Sequence, residues 1–289
     1  MQRASCLVSR AQPSLFINEK IKVRMNGRYM KFYFFAAILL LSLNTAFAQE
    51  LKIETPAFKP GEKLSYTMKY GFFTAAQADI RVEESPTKFD GKPAYHIIAE
   101  GKTAGTFDVF YKVRNRYETY VDETTLMPYF YAENRHESSY KHTDKVTFDQ
   151  TNHKITAAKG VFPYTGQVFD FVSVYYFCRC IDVSKLHIGD KFDIQYFLED
   201  GVHTLSITYS GKEKMACSMG TFNCLKFNPT IIPGRIFKKN SKLYLWITDD
   251  NNRIPVKAHV EVVVGSITMD LTAASGLKYP LSPLSKETD

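Results

Sequence analysis

Apolar and polar residues alternate along most of the chain. Leu64, Tyr66, Met68 and Tyr70 alternate with Lys63, Ser65, Thr67 and Lys69. Tyr111, Val113, Tyr117 and Val121 alternate with Lys112, Arg114, Arg116, Glu118 and Asp122. Leu205, Ile207 and Tyr209 alternate with Thr204, Ser206 and Thr208. Successive side chains of a strand point to opposite faces, so each segment predicts a strand with one apolar and one polar face. Further strands are predicted near 76–83, 94–102, 129–140, 143–149, 191–198, 222–231, 242–248, 255–264 and 266–273. Asp90-Gly91, Asp200-Gly201, Gly220-Thr221, Asp249-Asp250-Asn251-Asn252 and Gly265-Ser266 punctuate them. These residues tolerate the positive φ angles of tight hairpins. Strands with one polar face imply antiparallel pairing, because parallel sheets are buried on both faces. The predicted fold is mainly β, with curved antiparallel sheets forming a barrel or half-barrel and one buried helix.

That helix is read from the one segment that breaks the alternation. Phe169 to Ile181 is apolar nearly throughout, and Phe171, Val174, Tyr175 and Cys178 fall at helical spacing. Asp170 is placed to cap its start. The run is also rich in aromatic and β-branched residues, which leaves a buried strand as the alternative. A helix from Phe171 to Cys180, apolar on every side, would pack on the concave face of a strongly bent sheet.

The start of the chain reads differently. Lys31 precedes an apolar run from Phe32 to Leu43, too short for the roughly 20 residues that a membrane-spanning helix needs. Ala46-Phe47-Ala48 follows, with small residues where a signal peptidase reads. Residues 1–48 are therefore expected to be a signal peptide with an upstream extension, cleaved before Gln49. Residues 49–289 are expected to form a single β-rich domain with a frayed tail from Pro280. A split near residue 165 into two sub-sheets is the alternative. The expected location is periplasmic or secreted, with no transmembrane segment in the mature chain.

The leader changes the meaning of the charge. The formal net charge is +7. Removing Arg3, Arg10, Lys20, Lys22, Arg24, Arg28 and Lys31 together with Glu19 leaves thirty basic against twenty-nine acidic residues. A nucleic-acid partner would need a basic stripe on the folded part, and this balance argues against one. Export also makes disulfides permissible among Cys178, Cys180, Cys217 and Cys224. Cys217 and Cys224 flank Gly220-Thr221 symmetrically, so a hairpin turning there would oppose them as a disulfide pair.

The chain has no G-x-G-x-x-G, no G-x-x-x-x-G-K-[ST] and no G-x-S-x-G. His136-Glu137-Ser138-Ser139-Tyr140 starts like H-E-x-x-H but ends in Tyr140, and its surroundings alternate like a strand. Ser138 and Lys141 match S-x-x-K on the same non-helical segment. His96, His136, His142, His153, His187, His203 and His259 show no ligand spacing. No catalytic residue, metal site or cofactor is assigned. Arg114, Arg116 and Glu118 form the most patterned charge group. They read either as the lining of an anionic or amphipathic ligand site or as a solvated face with cross-strand ion pairs. Tyr66, Tyr70, Phe110, Tyr111, Tyr131, Phe197 and Trp246 read first as core and second as cavity lining.

Several strings together carry a resemblance. They are Gly61-Glu62-Lys63-Leu64 through Lys69-Tyr70-Gly71, Phe110-Tyr111-Lys112-Val113 with Tyr117-Glu118, and Leu126-Met127-Pro128. Gly220-Thr221-Phe222 with Cys224-Leu225-Lys226-Phe227, Trp246-Ile247-Thr248-Asp249-Asp250, Arg253-Ile254-Pro255-Val256 and Gly265 complete it. In this order they resemble an exported bacterial family, domain of unknown function 3108, over about residues 56–280. The resemblance implies a secreted or periplasmic β-rich domain and supplies no catalytic residues. The expected function is a non-catalytic cell-envelope protein that binds an apolar or amphipathic ligand such as a lipid. The alternatives are a scaffold or assembly factor for another envelope protein and a hydrolase of envelope polymers.

Overall fold

The alternating segments become strands of one sheet. The computed structural model describes residues 53, 56–231 and 240–284, so the leader 1–48 and the end of the tail, 285–289, lie outside the described residues. The first half of the chain supplies β1 (Lys63–Tyr70), β2 (Phe73–Glu84), β3 (Ala94–Thr103), helix α1 (Gly105–Phe110), β4 (Val113–Asp122), β5 (Pro128–Glu137), β6 (Tyr140–Asp149), β7 (Lys154–Ala157) and β8 (Gly160–Pro163). The second half supplies β9 (Val168–Phe169), helix α2 (Ser173–Arg179), β10 (Lys191–Leu198), β11 (Gly201–Cys217), β12 (Gly220–Pro229), β13 (Leu243–Thr248), β14 (Pro255–Glu261) and β15 (Ser266–Ser275). Their order in the sheet is β8-β7-β6-β5-β4-β3-β2-β1-β15-β14-β13-β12-β11-β10-β9. Every pairing is antiparallel except the short one between β9 and β10. Each half is a meander, and β1 pairing with β15 joins the halves.

The sheet bends round on itself, because its two halves share one core. Ile97 of β3, Val121 of β4 and Phe148 of β6 pack in the same cluster as Ile194 of β10, Ile207 of β11 and Leu225 of β12. The edges β8 and β9 are not hydrogen-bonded to each other. The gap is spanned by side chains instead. Phe197 of β10 lies 5.2 Å from Phe162 of β8 and 6.4 Å from Phe148, centroid to centroid. Lys159 reaches Glu199 and Asp200 at 3.7 Å across the same seam. The result is an incompletely closed, barrel-like sheet, as the alternation predicts.

Turn chemistry explains several connections and corrects two. Asp90 and Gly91 both have positive φ, +50° and +77°, as a two-residue hairpin turn with matching twist requires. The β11–β12 turn is Ser218-Met219 rather than Gly220-Thr221, since Cys217 pairs with Gly220. Cys224 consequently pairs with Glu213, and the direct opposition of Cys217 and Cys224 expected from the sequence is absent. The β10–β11 turn is Glu199-Asp200, one place before the expected Asp200-Gly201. The tail is held as far as Leu284, whose N–H donates to the Thr221 carbonyl at 2.7 Å.

α2 is the predicted internal helix, shortened to Ser173–Arg179. Asp170 starts it. Its Oδ1 accepts the N–H groups of Val172 and Ser173 at 2.7 and 2.9 Å, satisfying donors that the first turn leaves open. Tyr176 and Phe177 are fully buried in the main core. Burying each contributes about 1.5–3 kcal/mol. Phe171 precedes the helix and is 55% exposed, so it is not a core residue.

Candidate functional site

The stripe Phe171, Val174, Tyr175 and Cys178, which the sequence assigns to core packing, lines an open cavity of about 450 Å³. Two of the helix's faces are apolar for different reasons. Tyr176 and Phe177 fill the core, and Val174, Tyr175 and Cys178 form one wall of a space. The opposite wall comes from β10–β15, with Ile207, Leu225, Leu245, Ala258 and Met269, and from β1–β3, with Tyr66, Ile80 and Ala99.

The wall carries few charges. Tyr66 and Tyr175 share a hydrogen bond, hydroxyl to hydroxyl, at 2.9 Å. Burial holds the Tyr66 phenol well above its usual range and pushes Tyr175 up to about 12. Burial also pushes the Cys178 thiol up to about 12. All three are neutral at physiological pH. Two arginines touch the cavity, Arg179 and Arg253. Arg253 Nη1 is buried without a hydrogen bond and lies 3.9 Å from Asp249 Oδ1.

Arg179 is engaged elsewhere. Its Nη1 and Nη2 donate to Glu62 Oε1 and Oε2 at 2.6 and 2.9 Å, and both side chains are fully buried. Its Nε and Nη2 also donate to the Asn252 carbonyl at 3.2 and 2.9 Å. Tyr176 donates its hydroxyl to Glu62 at 3.2 Å. The guanidinium lies 5.0 Å from the Tyr176 ring and 5.7 Å from the Phe58 ring. Burial opposes its charge, and the Glu62 hydrogen bonds and charge outweigh that and keep it protonated. The two strings Gly61-Glu62 and Asp249–Asn252, far apart in sequence, thus meet at the end of α2. Sequence reasoning missed this pair. The signal was present: Arg179 is the one cation in an apolar run, and a charge there requires a buried partner.

Asp170 sits at the other end of α2. Thr119 donates its hydroxyl to Asp170 Oδ2 at 2.5 Å, which ties the helix start to β4. Burial raises the Asp170 carboxyl pKa against the effect of these hydrogen bonds.

The other sequence candidates lie apart from the cavity. Arg116 pairs with Glu100 and Glu118 at 2.7 Å each, and Arg114 pairs with Asp108 at 2.6 Å. Arg116–Glu100 crosses from β4 to β3, Arg116–Glu118 lies within β4 and Arg114–Asp108 joins β4 to α1, so the group is ion-paired on a polar face. His136 and Glu137 end β5, Ser138 and Ser139 form a turn, and Tyr140 opens β6, so the H-E-x-x-like string lies on a hairpin. Among the described residues no group of three His, Cys, Asp or Glu is arranged to hold a metal ion. Among them, too, no helix is long and apolar enough to cross a membrane. Tyr131 and Phe197 belong to the main core, and Trp246 to a second cluster with Cys217, Phe222 and Cys224. Phe110 and Tyr111 are exposed instead. Core burial was the first reading for both. It fails because α1 buries none of its residues, Phe110 included, and Tyr111 follows directly as its C-cap, half exposed.

A barrel-like sheet wrapped on an internal helix defines the structural class, and the sequence independently shows the family. The family described as "Protein of unknown function (DUF3108)" matches residues 65–272, from β1 into β15, and the chain belongs to it. The search of curated proteins gives no match. Among solved structures, the fold is similar to a beta-barrel-like protein of domain of unknown function DUF1849 from Brucella abortus. The TM-score is 0.51 at 8% identity, covering 78% of this chain and 98% of that one. A provisionally assigned lipoprotein from Parabacteroides distasonis aligns with TM-score 0.33 and 10% identity, over 78% of this chain and all (100%) of that one.

Proposed function

We propose that this chain is an exported, non-catalytic envelope protein that holds the apolar part of an amphipathic molecule beside α2. The observation that carries the reading is the cavity itself. Its volume of about 450 Å³ falls in the range of roughly 300–1,000 Å³ typical of small-molecule sites. Its walls are largely aliphatic and aromatic, and their ionisable Tyr and Cys groups are neutral. An acyl or similar chain would remove that surface from water, which is the main source of affinity for such a ligand. Arg253 Nη1, buried and without a hydrogen bond, offers a donor to an acidic head group. Export is supported by Lys31, the apolar run from Phe32 to Leu43 and Ala46-Phe47-Ala48.

The test is mass spectrometry of organic extracts from protein isolated after export, together with binding of a dansylated undecanoic acid. Co-purified lipid and saturable probe binding are expected. Ala258→Trp, which fills the cavity from β14, should weaken the probe at least roughly tenfold, the effect of losing one or two buried methylenes' worth of contact or more. Clean extracts with no probe binding would remove the reading and favour a scaffold that recognises another envelope protein.

A further inference from the structure

The first helix, α1, buries none of its residues. Its sequence, Gly-Thr-Phe-Asp-Val-Phe, is apolar enough to pack, yet Val109 and Phe110 are each 81% exposed. Two neighbouring turns share this property. Phe72 is 86% exposed in the β1–β2 turn, and Val264 is 71% exposed in the β14–β15 turn. Large apolar side chains this exposed are unremarkable singly, but a convergent group marks an interaction surface.

The register places all three at one end of the sheet. Tyr70 pairs with Phe73 and Ile267, Ser266 pairs with Glu261, and Thr103, which leads into α1, pairs with Ala76. Tyr70 also joins them physically. Its hydroxyl donates to the Val264 carbonyl at 2.8 Å, and its ring lies 6.2 Å from that of Phe107 in α1. Ala104 N–H donates to the Ala75 carbonyl, and Thr103 donates its hydroxyl to Asp108 at 2.7 Å. The tips are held in place rather than loose.

We infer that this end of the sheet docks on an anionic lipid surface, with Phe72, Phe73, Val109, Phe110 and Val264 entering the interfacial layer. Three observations select a bilayer over a protein. The apolar groups sit on separate projecting tips rather than in a groove, and a soft interface accepts separate tips. Lys102 and Lys112 are exposed beside α1, while the nearby Asp108 is already paired with Arg114. Cations flanking apolar tips suit anionic head groups. The cavity also reaches this end. Its lining includes Thr230 after β12 and Leu243 at the start of β13, and antiparallel pairing through β14 and β15 puts both at the same end as the β1–β2 turn. The exposed tips and the flanking lysines stand apart from the ligand reading, and the docking surface goes beyond it.

The test is flotation of the exported protein with vesicles of phosphatidylethanolamine and phosphatidylglycerol, against vesicles of phosphatidylcholine. The parent should float with the first, less with the second, and less at high salt. Phe72→Ser/Phe73→Ser/Phe110→Ser should keep the parent's melting temperature, because the side chains are exposed, and should lose at least roughly tenfold in vesicle partition. Ala258→Trp should float like the parent. Failure of the parent to float, equal flotation of the triple variant, or loss of flotation in Ala258→Trp would each overturn the inference. So would a parent that stays off vesicles but forms dimers that the triple variant does not form, since the tips would then be a contact between copies of the chain.

Discussion

Arg179 and Glu62, 117 positions apart, form a two-bonded ion pair with no solvent-exposed side-chain surface. The pair fixes the end of α2 to the segment that enters β1, and through the Asn252 carbonyl to the turn between β13 and β14. The cavity wall stands where it does because α2 is tied here and at Asp170.

Removing one partner of this pair should cost more than removing both. Glu62→Ala leaves a buried guanidinium with no countercharge, and a loss of about 3–5 kcal/mol is expected in urea denaturation. Glu62→Leu/Arg179→Met, apolar and of similar volume, should recover most of that loss. Equal losses for the single and double variants would show that the charge is not what the site needs.

Asp122 should set part of the acid limb of stability. Burial works to raise its pKa, but the Tyr129 hydroxyl and the Thr124 and Thr125 amides outweigh it, and the net shift is downward. A depressed folded value means that the unfolded chain binds this proton more readily. The stabilisation is therefore present above the unfolded value of about 3.9 and is lost as pH falls through the folded value. Asp122→Ala should cost about 1–3 kcal/mol at pH 7. The gap from the parent should close as the pH drops below about 4, read from denaturation midpoints over a pH series.

Counting thiols decides the cysteine pairing. Cys224 lies four places beyond Gly220, the partner of Cys217, which is roughly 13 Å along a strand. Disulfides need Cα atoms within about 7 Å. Four thiols are expected to react in denaturant for the exported chain. Two would restore the pair read from the sequence and require a shifted β11–β12 register. In the folded protein Cys178 and Cys224 should react slowly, since burial pushes both up to about 12 and leaves little thiolate at pH 8.

The long strands were legible because alternation and turn residues act locally. β10 over Lys191–Leu198 coincides with its predicted span. β7, β8 and β9 escaped, being two to four residues long and too short to show a period. α1 escaped because a helix that buries nothing leaves no helical stripe. Val174, Tyr175 and Cys178 share one face of α2 as their spacing predicts, with Phe171 in the turn just before it. Periodicity does not say whether that face meets side chains or empty space, and only the spacing of β10–β15 from the helix decides it. The Glu62–Arg179 pair depends on contact across more than a hundred residues, which no local pattern encodes.

The order of strands has a consequence for how the molecule comes together. Within each half nearly every ladder joins neighbours in sequence, so the meanders from β1 to β8 and from β10 to β15 can zip locally and early. One ladder is different: Lys63 with Ser275 begins a pairing that closes about two hundred residues in one step. The first and last strands, β1 and β15, therefore meet in the middle of the sheet, and the sheet's free edges, β8 and β9, fall in the middle of the chain. A circular permutant opened at Thr165-Gly166, with the ends of the exported chain joined, would turn that late closure of about two hundred residues into a far shorter one. Its folding rate, set against the parent's, would measure what the present arrangement costs in time.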